Sequence, residues 1–184
     1  QARERGLSIT AEVTPHHLCI TDSALVSFDP NLKVNPPLRS QEDVDALIAA
    51  IKEGLIDVIA TDHAPHTPDE KDVELDKAPF GINGLETAVS LLLDRLVSKN
   101  VISLERLIRM MSANPARILG LENKGRIAVG ADADLTILNL RKEVAVDVSR
   151  FKSKSRNNPF HGWKLKGMPV MTIVGGKIVY RLSS

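Results

Sequence analysis

Hydrophobic residues follow two kinds of spacing in the first part of the chain. Residues 7–13 (LSITAEV) are rich in β-branched side chains and predict a strand that Pro15 cannot continue. After Ser40, which is followed three positions later by an acidic residue, helical spacing predicts a helix with one buried face. The apolar positions of this helix are Val44, Leu47, Ile48 and Ile51. Gly54 ends the helix, and the apolar run at residues 56–60 predicts a second strand.

Helical spacing resumes after the second strand. One predicted helix carries Leu85, Val89, Leu92, Leu93 and Leu96 on one face. Another, with Ser103 as its cap, carries Leu104, Leu107, Ile108 and Met111 as core residues. Asn114 and Pro115 begin a last short helical turn that ends near Gly120. A strand, a helix, a second strand and further helices in this order predict an α/β fold with a parallel sheet and crossover helices.

The pattern changes again after Gly125. Two β runs end the chain and are separated by Gly175-Gly176, which predicts a two-residue hairpin turn. We therefore predict two domains, with residues 1–122 in the α/β part and residues 123–184 in a small β domain. Residues 149–158 (SRFKSKSRNN) are basic, and a solvated loop is favoured over a phosphate site because no glycine-rich turn or helix start accompanies the charges.

A cluster of polar residues directly follows the second strand, in the run TDHAPH. Buried parallel strands open into active sites at their carboxyl ends, so Asp62 is the first catalytic candidate. The alternative is that Asp62 caps the next segment while His63 and His66 are solvated loop residues.

Three further segments carry candidate residues. Asn35 precedes two prolines, whose stiff backbone suits either a binding residue or a plain turn. His16 and His17 follow the first strand, and on extended backbone they would point to opposite faces, so at most one would reach a site. Residues 67–78 are strongly charged and predict a mobile surface loop, which is either a lid or simply solvated.

Composition narrows the class of protein. The 184 residues are 43% hydrophobic and 26% charged, which is typical of a soluble globular protein. A formal net charge of +1 gives no reason to expect a nucleic acid partner, and no apolar run is long enough to span a membrane. The single Cys19 cannot form an internal disulfide and favours a reducing, cytoplasmic setting.

A carboxylate at a buried strand end has two natural chemical roles. It can bind a divalent metal, and it can accept a proton from the water that such a metal activates. Both roles need partners, yet the 5 histidines show no H-x-H and no H-E-x-x-H spacing. The residue pattern alone therefore supplies only part of a metal site.

Several motifs together resemble the carboxyl-terminal portion of a type I dihydroorotase, in the amidohydrolase superfamily. They are AEVTPHHL, KVNPPLR, IDVIATDHAPH, KAPFGINGLET, NPFHGW and PVMTIVGGKIV, and they cover nearly the whole chain. The D-H-x-P run and the segment GRIAVGADADL are shared by much of the superfamily, including hydantoinases and allantoinases. NPPLR, the second histidine of DHAPH and APFG are typical of dihydroorotases in particular.

The resemblance implies the carboxyl-terminal part of a (β/α)8 barrel, namely strands seven and eight with their helices, beside a small β domain. It implies a binuclear zinc centre and the reversible cyclisation of N-carbamoyl-L-aspartate to L-dihydroorotate in pyrimidine biosynthesis. Matched residue by residue, Asp62 would bind one zinc ion and transfer the proton as the catalytic base. Asn35 and His66 would bind the substrate, and Phe80 with Gly81 would hold its ring through the backbone.

The other metal ligands of the family would all precede Gln1. They are an H-x-H after the first strand, a bridging aspartate or carboxylated lysine, and two later histidines; the pair His16-His17 is not among them, and His63 receives no ligand role. We therefore expect a fragment of a longer enzyme that is inactive in isolation. A homodimer or an association with aspartate transcarbamoylase is possible for the family.

Two other functions compete with this interpretation. One is a hydantoinase or allantoinase type of cyclic amidohydrolase. The other is a non-catalytic, dihydroorotase-like subunit that scaffolds a transcarbamoylase.

Overall fold

Two very short parallel strands lie at the centre of the first part of the fold. The computed structural model describes residues 2–182, in which β1 (Glu12–Val13) pairs in parallel with β2 (Val58–Ile59). The predicted strands are confirmed in position and direction, but their predicted length is wrong. Leu7 and Ile9 are 57% and 49% exposed and stand outside the ladder, because each strand has a single partner among the described residues.

Helix α1 (Gln41–Glu53) connects the two strands and begins and ends at the predicted residues. The hydroxyl of Ser40 accepts a hydrogen bond from the backbone N–H of Asp43, which satisfies one of the free donors at the helix start. Gly54 ends the helix with a φ of 79°, a left-handed conformation that glycine adopts without strain. Val44 and Ile51 are buried on the inner face, as predicted.

The remaining helices are short. They are α2 (Pro68–Lys71), α3 (Ala88–Leu92), α4 (Leu104–Ile108) and α5 (Asn114–Ile118), with π-helical turns at Leu93–Val97 and Arg109–Ala113. Leu85 lies before α3 and is 59% exposed, so its predicted place on the buried face is wrong. Ile108 is also exposed, because the buried stripe runs through Leu107 and Met110 and successive helical positions are about 100° apart.

The last part of the chain forms a three-stranded antiparallel sheet. Its strands are β3 (Leu135–Ala145), β4 (Lys164–Val174) and β5 (Lys177–Arg181), in that order across the sheet. Gly175 and Gly176 both have positive φ and form the tight turn between β4 and β5, which confirms the predicted hairpin.

The buried apolar residues form two clusters. One lies between the short strands and the helices and includes Val13, Ile51, Ile59, Leu92, Leu96 and Leu107. The other combines Leu32, Val34, Ile82 and Leu91 with Val146, Phe160 and Leu165. The second cluster contains residues from both sides of the predicted boundary at residue 123, so the same core supports the candidate site and the loop before β4. Across residues 2–182, no helix has the length and apolar character needed to cross a membrane.

Candidate functional site

Asp62 is exposed and lies just beyond the carboxyl end of β2. Its φ is 47°, in the left-handed region, where residues other than glycine are uncommon and aspartate is among the better tolerated. Residues in this conformation occur often at active sites and in ligand-binding loops, where the surrounding structure keeps them in it. The exposed carboxylate on this uncommon backbone supports a functional role for Asp62.

The loop after β2 runs beside residues 81–84. His63 forms a parallel bridge with Ile82, and the backbone N–H of Leu85 donates to its Nδ1 over 3.3 Å. Because Nδ1 accepts this bond, the proton of the neutral ring lies on Nε2. His63 therefore holds two segments of backbone together.

Two glycines permit the close approach of these segments. Gly81 has a φ of 120°, and a Cβ there would lie 2.4 Å from the Cβ of Ala64. A Cβ at Gly84 would lie 3.1 Å from the carbonyl oxygen of Thr61. Neither position accommodates a larger residue without a shift of the loop that carries Asp62.

The structure brings His66, Phe80 and Gly81 together. The Nε2 of His66 donates to the carbonyl oxygen of Phe80 over 3.0 Å, since a carbonyl can only accept. The Nδ1 of His66 lies 3.6 Å from the carboxylate of Glu70. Hydrogen bonds from Thr67 hold the pKa of Glu70 below its usual value, so this carboxylate stays charged beside the imidazole.

Asn35 is exposed on a neighbouring segment, and the peptide bond between Asn35 and Pro36 is cis. That segment contacts the candidate site through Lys33. The carbonyl oxygen of Lys33 accepts a hydrogen bond from the backbone N–H of Gly81 over 2.8 Å. The ammonium group of Lys33 lies 4.8 Å from the centre of the Phe80 ring. Asn35 is thus two residues from a direct contact with Gly81.

The predicted arrangement of His16 and His17 on extended backbone is wrong. Both lie in a 3-10 helix (His16–Leu18), because Pro15 has helical dihedrals and turns the chain. His16 is buried, whereas the Nε2 of His17 donates to the carbonyl oxygen of Pro36 over 2.9 Å. His17 therefore supports the turn that carries Asn35.

Most of residues 67–78 lie at the surface, as predicted, but the segment begins with a helical turn, α2. Thr67 and Glu70 form a reciprocal capping box at the start of α2. Lys71 is buried, and its ammonium group donates to the carbonyl oxygens of Pro30 and Pro79 over 2.9 and 2.8 Å. Burial lowers the pKa of Lys71, although its two acceptors keep the charged form hydrogen-bonded.

The prediction of a solvated loop at residues 149–158 is confirmed for its exposed first part, which includes Arg150, but is wrong for its end. Lys152 and Lys154 are exposed, but Ser155, Asn157 and Asn158 are only 5%, 4% and 4% exposed. The side chain of Asn157 contacts Ala64, His66 and Gly81. No local sequence signal separates these buried amides from the exposed lysines beside them, because the partners of Asn157 lie in distant segments of the chain.

A cavity of about 590 Å³ opens beside Phe80 and is lined mainly by apolar residues on both sides of Asn35 in the sequence. Its walls include Leu25, Phe28, Leu32, Val34 and Leu38. Asp62 and His66 do not line it. The cavity is therefore separate from the carboxylate and imidazole of the candidate site.

The metal-binding capacity of the site is limited. Among residues 2–182 there is no group of three or more His, Cys, Asp or Glu side chains arranged to hold a metal ion. A hydrolytic zinc site uses at least three protein ligands, and Asp62 could supply one of them. The residues described here do not form a complete zinc site.

Comparison with known proteins places these features in context. Residues 4–179 match the sequence profile of the amidohydrolase family. A protein named dihydroorotase from Caldanaerobacter subterraneus subsp. tengcongensis is 56% identical over 181 residues, which are 98% of this chain and 42% of that protein. A dihydroorotase from Bacillus cytotoxicus is 52% identical over 183 residues, with 100% of this chain and 42% of the relative covered. The chain thus spans less than half the length of these relatives.

Solved structures resemble the whole described fold. An L-hydantoinase (dihydropyrimidinase) from Arthrobacter aurescens has a TM-score of 0.94 at 38% identity, covering 98% of this chain and 41% of that one. A dihydropyrimidinase from Brevibacillus agri has a TM-score of 0.87 at 28% identity, with the same coverage. The backbone arrangement is therefore common to several cyclic amidohydrolases, while the sequence is more similar to the dihydroorotases.

Proposed function

This chain belongs to the amidohydrolase family, and we propose that it is part of a dihydroorotase. In this proposal β1 and β2 are strands seven and eight of a (β/α)8 barrel, and residues 123–184 are the small β domain beside it. The observation that carries the proposal is the 56% identity to a named dihydroorotase, against 38% to the L-hydantoinase. The exposed, left-handed Asp62 at the carboxyl end of β2 supports it independently.

The proposed reaction is the reversible closure of N-carbamoyl-L-aspartate to L-dihydroorotate. In the hydrolytic direction, water adds to the ring amide carbonyl, the carbon–nitrogen bond breaks, and the nitrogen takes up a proton. Asp62 accepts the proton of the attacking water and returns it to the departing nitrogen. One carboxylate can do both, because the proton that it takes in one step is the one that it gives in the next.

Asn35, His66, Phe80 and Gly81 bind the substrate in this proposal. The network around them limits how they do so, because His66 already donates to Phe80 and the N–H of Gly81 already donates to Lys33. A substrate that contacts these groups shares or replaces those bonds. The network therefore orients the binding groups before the substrate arrives.

Zinc, in a binuclear centre, is the proposed cofactor of the complete enzyme. Residues 2–182 offer Asp62 but do not form such a centre, so the other ligands have to come from outside the described residues. The substrates are small molecules, and a cytoplasmic location is part of the proposal. A homodimer or an association with aspartate transcarbamoylase is a further prediction.

A hydantoinase-type activity is the second candidate, because the TM-score of 0.94 to the L-hydantoinase means that the backbone alone does not separate the two functions. A substrate panel separates them. The full-length protein that contains this chain should turn over dihydroorotate and leave hydantoins and allantoin essentially unchanged.

The substitution Asp62→Ala tests the proposed base in the same full-length protein. We expect kcat/KM for dihydroorotate to fall about a thousandfold or more, as for other essential groups of hydrolytic sites. Asp69→Ala is the matched control, since Asp69 is an exposed carboxylate of the neighbouring helix α2 and should leave activity unchanged. Activity retained in the Asp62→Ala protein would mean that another group is the base.

A further inference from the structure

The loop before β4 reaches the candidate site from a distant part of the sequence. Asn157 lies 91 residues from His66 and 76 residues from Gly81, yet its side chain contacts both. Asn157 is only 4% exposed, so water does not compete for these contacts. No metal, base or substrate role assigned above involves this side chain.

The amide of Asn157 uses its full hydrogen-bonding capacity. Its Nδ2 donates to the carbonyl oxygens of Ala64 and Gly81 over 3.0 and 3.1 Å. Its Oδ1 accepts the backbone N–H of His66 over 3.1 Å and the hydroxyl of Ser155. Because two partners can only accept and the N–H of His66 can only donate, the orientation of the amide is fixed.

These contacts join the two backbone segments that carry the substrate-binding candidates. Ala64 and His66 belong to the loop that starts at Asp62, and Gly81 belongs to the segment that carries Phe80. The backbone carbonyl of Asn157 also accepts the N–H of Asn83 over 2.8 Å. Asn157 therefore bridges both segments through side chain and main chain together.

Few other side chains could take its place. Aspartate would present a carboxylate to the two carbonyl oxygens, which repel it, and leucine would leave them without a donor. An unpaired buried backbone group costs about 1–3 kcal/mol. An amide of this length satisfies the backbone donor of His66 and the two backbone acceptors at once.

We propose that Asn157 is a positioning residue that sets the spacing between His66 and the Phe80–Gly81 segment in the substrate site. This inference rests on the proposed function. Asn157 touches no reacting atom and acts through the groups that bind the substrate. Its loss lets the two segments separate, so binding of the substrate weakens more than the proton transfer by Asp62.

The adjacent Asn158 provides a matched control. It is also 4% exposed, and its Nδ2 donates to the carbonyl oxygen of Asn83 and to the hydroxyl of Thr87, at 2.6 and 3.3 Å. Its Oδ1 accepts the N–H of Phe160 over 2.9 Å. Asn158 thus connects the same loop to the start of α3, and its side chain has no hydrogen bond to His66 or Gly81.

The experiment compares Asn157→Ala with Asn158→Ala in the full-length protein, below the unfolding temperatures of both. Both variants should be less stable than the parent. Only Asn157→Ala should raise KM for dihydroorotate, with kcat/KM falling about 10- to 100-fold as for other outer-shell groups, while kcat changes less. Equal kinetic effects in the two variants, or a loss confined to kcat, overturn the proposal.

Ser155→Ala is a milder variant for the case in which Asn157→Ala does not fold. It removes the hydroxyl that donates to Oδ1 of Asn157 and keeps the three hydrogen bonds between the Asn157 amide and backbone groups. KM should therefore also rise, by a smaller factor. An unchanged KM in Ser155→Ala, with Asn157→Ala unfolded, counts against the positioning role.

Hydrogen exchange at the backbone amide of His66 tests the positioning role of Asn157 independently of which substrate the protein uses. Exchange should be faster in Asn157→Ala than in Asn158→Ala, whichever substrate the protein uses. If the parent protein turns over a hydantoin instead, the proposed function fails, and the same comparison of KM is made with that substrate. Unchanged exchange in Asn157→Ala overturns the positioning role itself.

Discussion

Two adjacent histidines, His16 and His17, have opposite environments. His17 is hydrogen-bonded through both ring nitrogens, to Thr14 and to Pro36. His16 is 2% exposed, and its Nε2 has no hydrogen-bond partner among residues 2–182. Burial, with a smaller effect of His17, lowers the pKa of His16 to about 3. The folded protein therefore keeps His16 neutral at pH values where the unfolded chain protonates it.

The lowered pKa of His16 predicts that the stability of the fold decreases in acid. The pKa of His16 is 6.5 in the unfolded chain and about 3 in the fold, so unfolding takes up a proton between these values. The free energy of unfolding should fall as the pH drops below about 6.5, with a slope approaching ~1.4 kcal/mol per pH unit from this group. Above that pH, His16 should contribute no pH dependence.

Denaturant unfolding of the full-length protein from pH 5 to pH 7.5 measures this slope. His16→Leu should flatten it, because the variant has no titrating group at the buried position. Exposed His161 is the control, and His161→Gln should keep the slope of the parent. A slope that survives in His16→Leu would assign the acid sensitivity to other groups.

At the scale of elements, the charged segment of residues 67–78 is attached to the fold through a buried lysine. Lys71 connects helix α2 to the backbone of Pro30 and Pro79, on the two segments that precede Asn35 and Phe80. Helix α2, at the start of this segment, is thus connected to the backbone segments next to the proposed substrate-binding residues.

Removal of this contact should loosen the segment. Lys71→Met keeps the length of the side chain but leaves two carbonyl oxygens without their donor, at a cost of about 1.5–3 kcal/mol for a charged hydrogen bond. We expect faster cleavage after Glu70 and Glu74 by a glutamate-specific protease. Lys77→Met is the control, since Lys77 is exposed and pairs with Glu74 on the surface. Equal cleavage rates in the two variants would show that Lys71 does not hold the segment.

At the scale of the whole molecule, several large apolar side chains remain exposed. Leu119, Ile127 and Val129 are 70%, 90% and 106% exposed, and a cavity of about 400 Å³ lies between the two short strands and α5. Soluble monomers rarely expose apolar residues in such groups unless another surface covers them. Under the proposed function, further protein covers these side chains and supplies the other metal ligands.

The isolated 184-residue chain should therefore self-associate and lack activity. We expect light scattering to give particles larger than the monomer, metal analysis to give less than one zinc per chain, and assays to detect no turnover of dihydroorotate. Turnover by a purified preparation free of the full-length protein would contradict the fragment interpretation.

The sequence by itself determined the features that depend on near neighbours. The cap at Ser40, the helix end at Gly54 and the hairpin at Gly175-Gly176 were predicted correctly, because each involves residues a few positions apart. The order of elements and the parallel pairing followed from hydrophobic spacing, and the resemblance in motifs indicated the family. Asp62 was identified as a candidate because a polar cluster follows an apolar strand.

The tertiary structure alone decided which polar groups are buried and what they contact. The burial of His16, the anchoring of Lys71 and the four-way contact of Asn157 depend on chain segments that approach one another only after folding. Charged and amide residues in a loop are usually solvated, and no local pattern marks the exceptions. Sequence spacing could not reveal them, because hydrogen bonds join groups by their position in space, and His66 and Asn157 are separated by 91 residues along the chain.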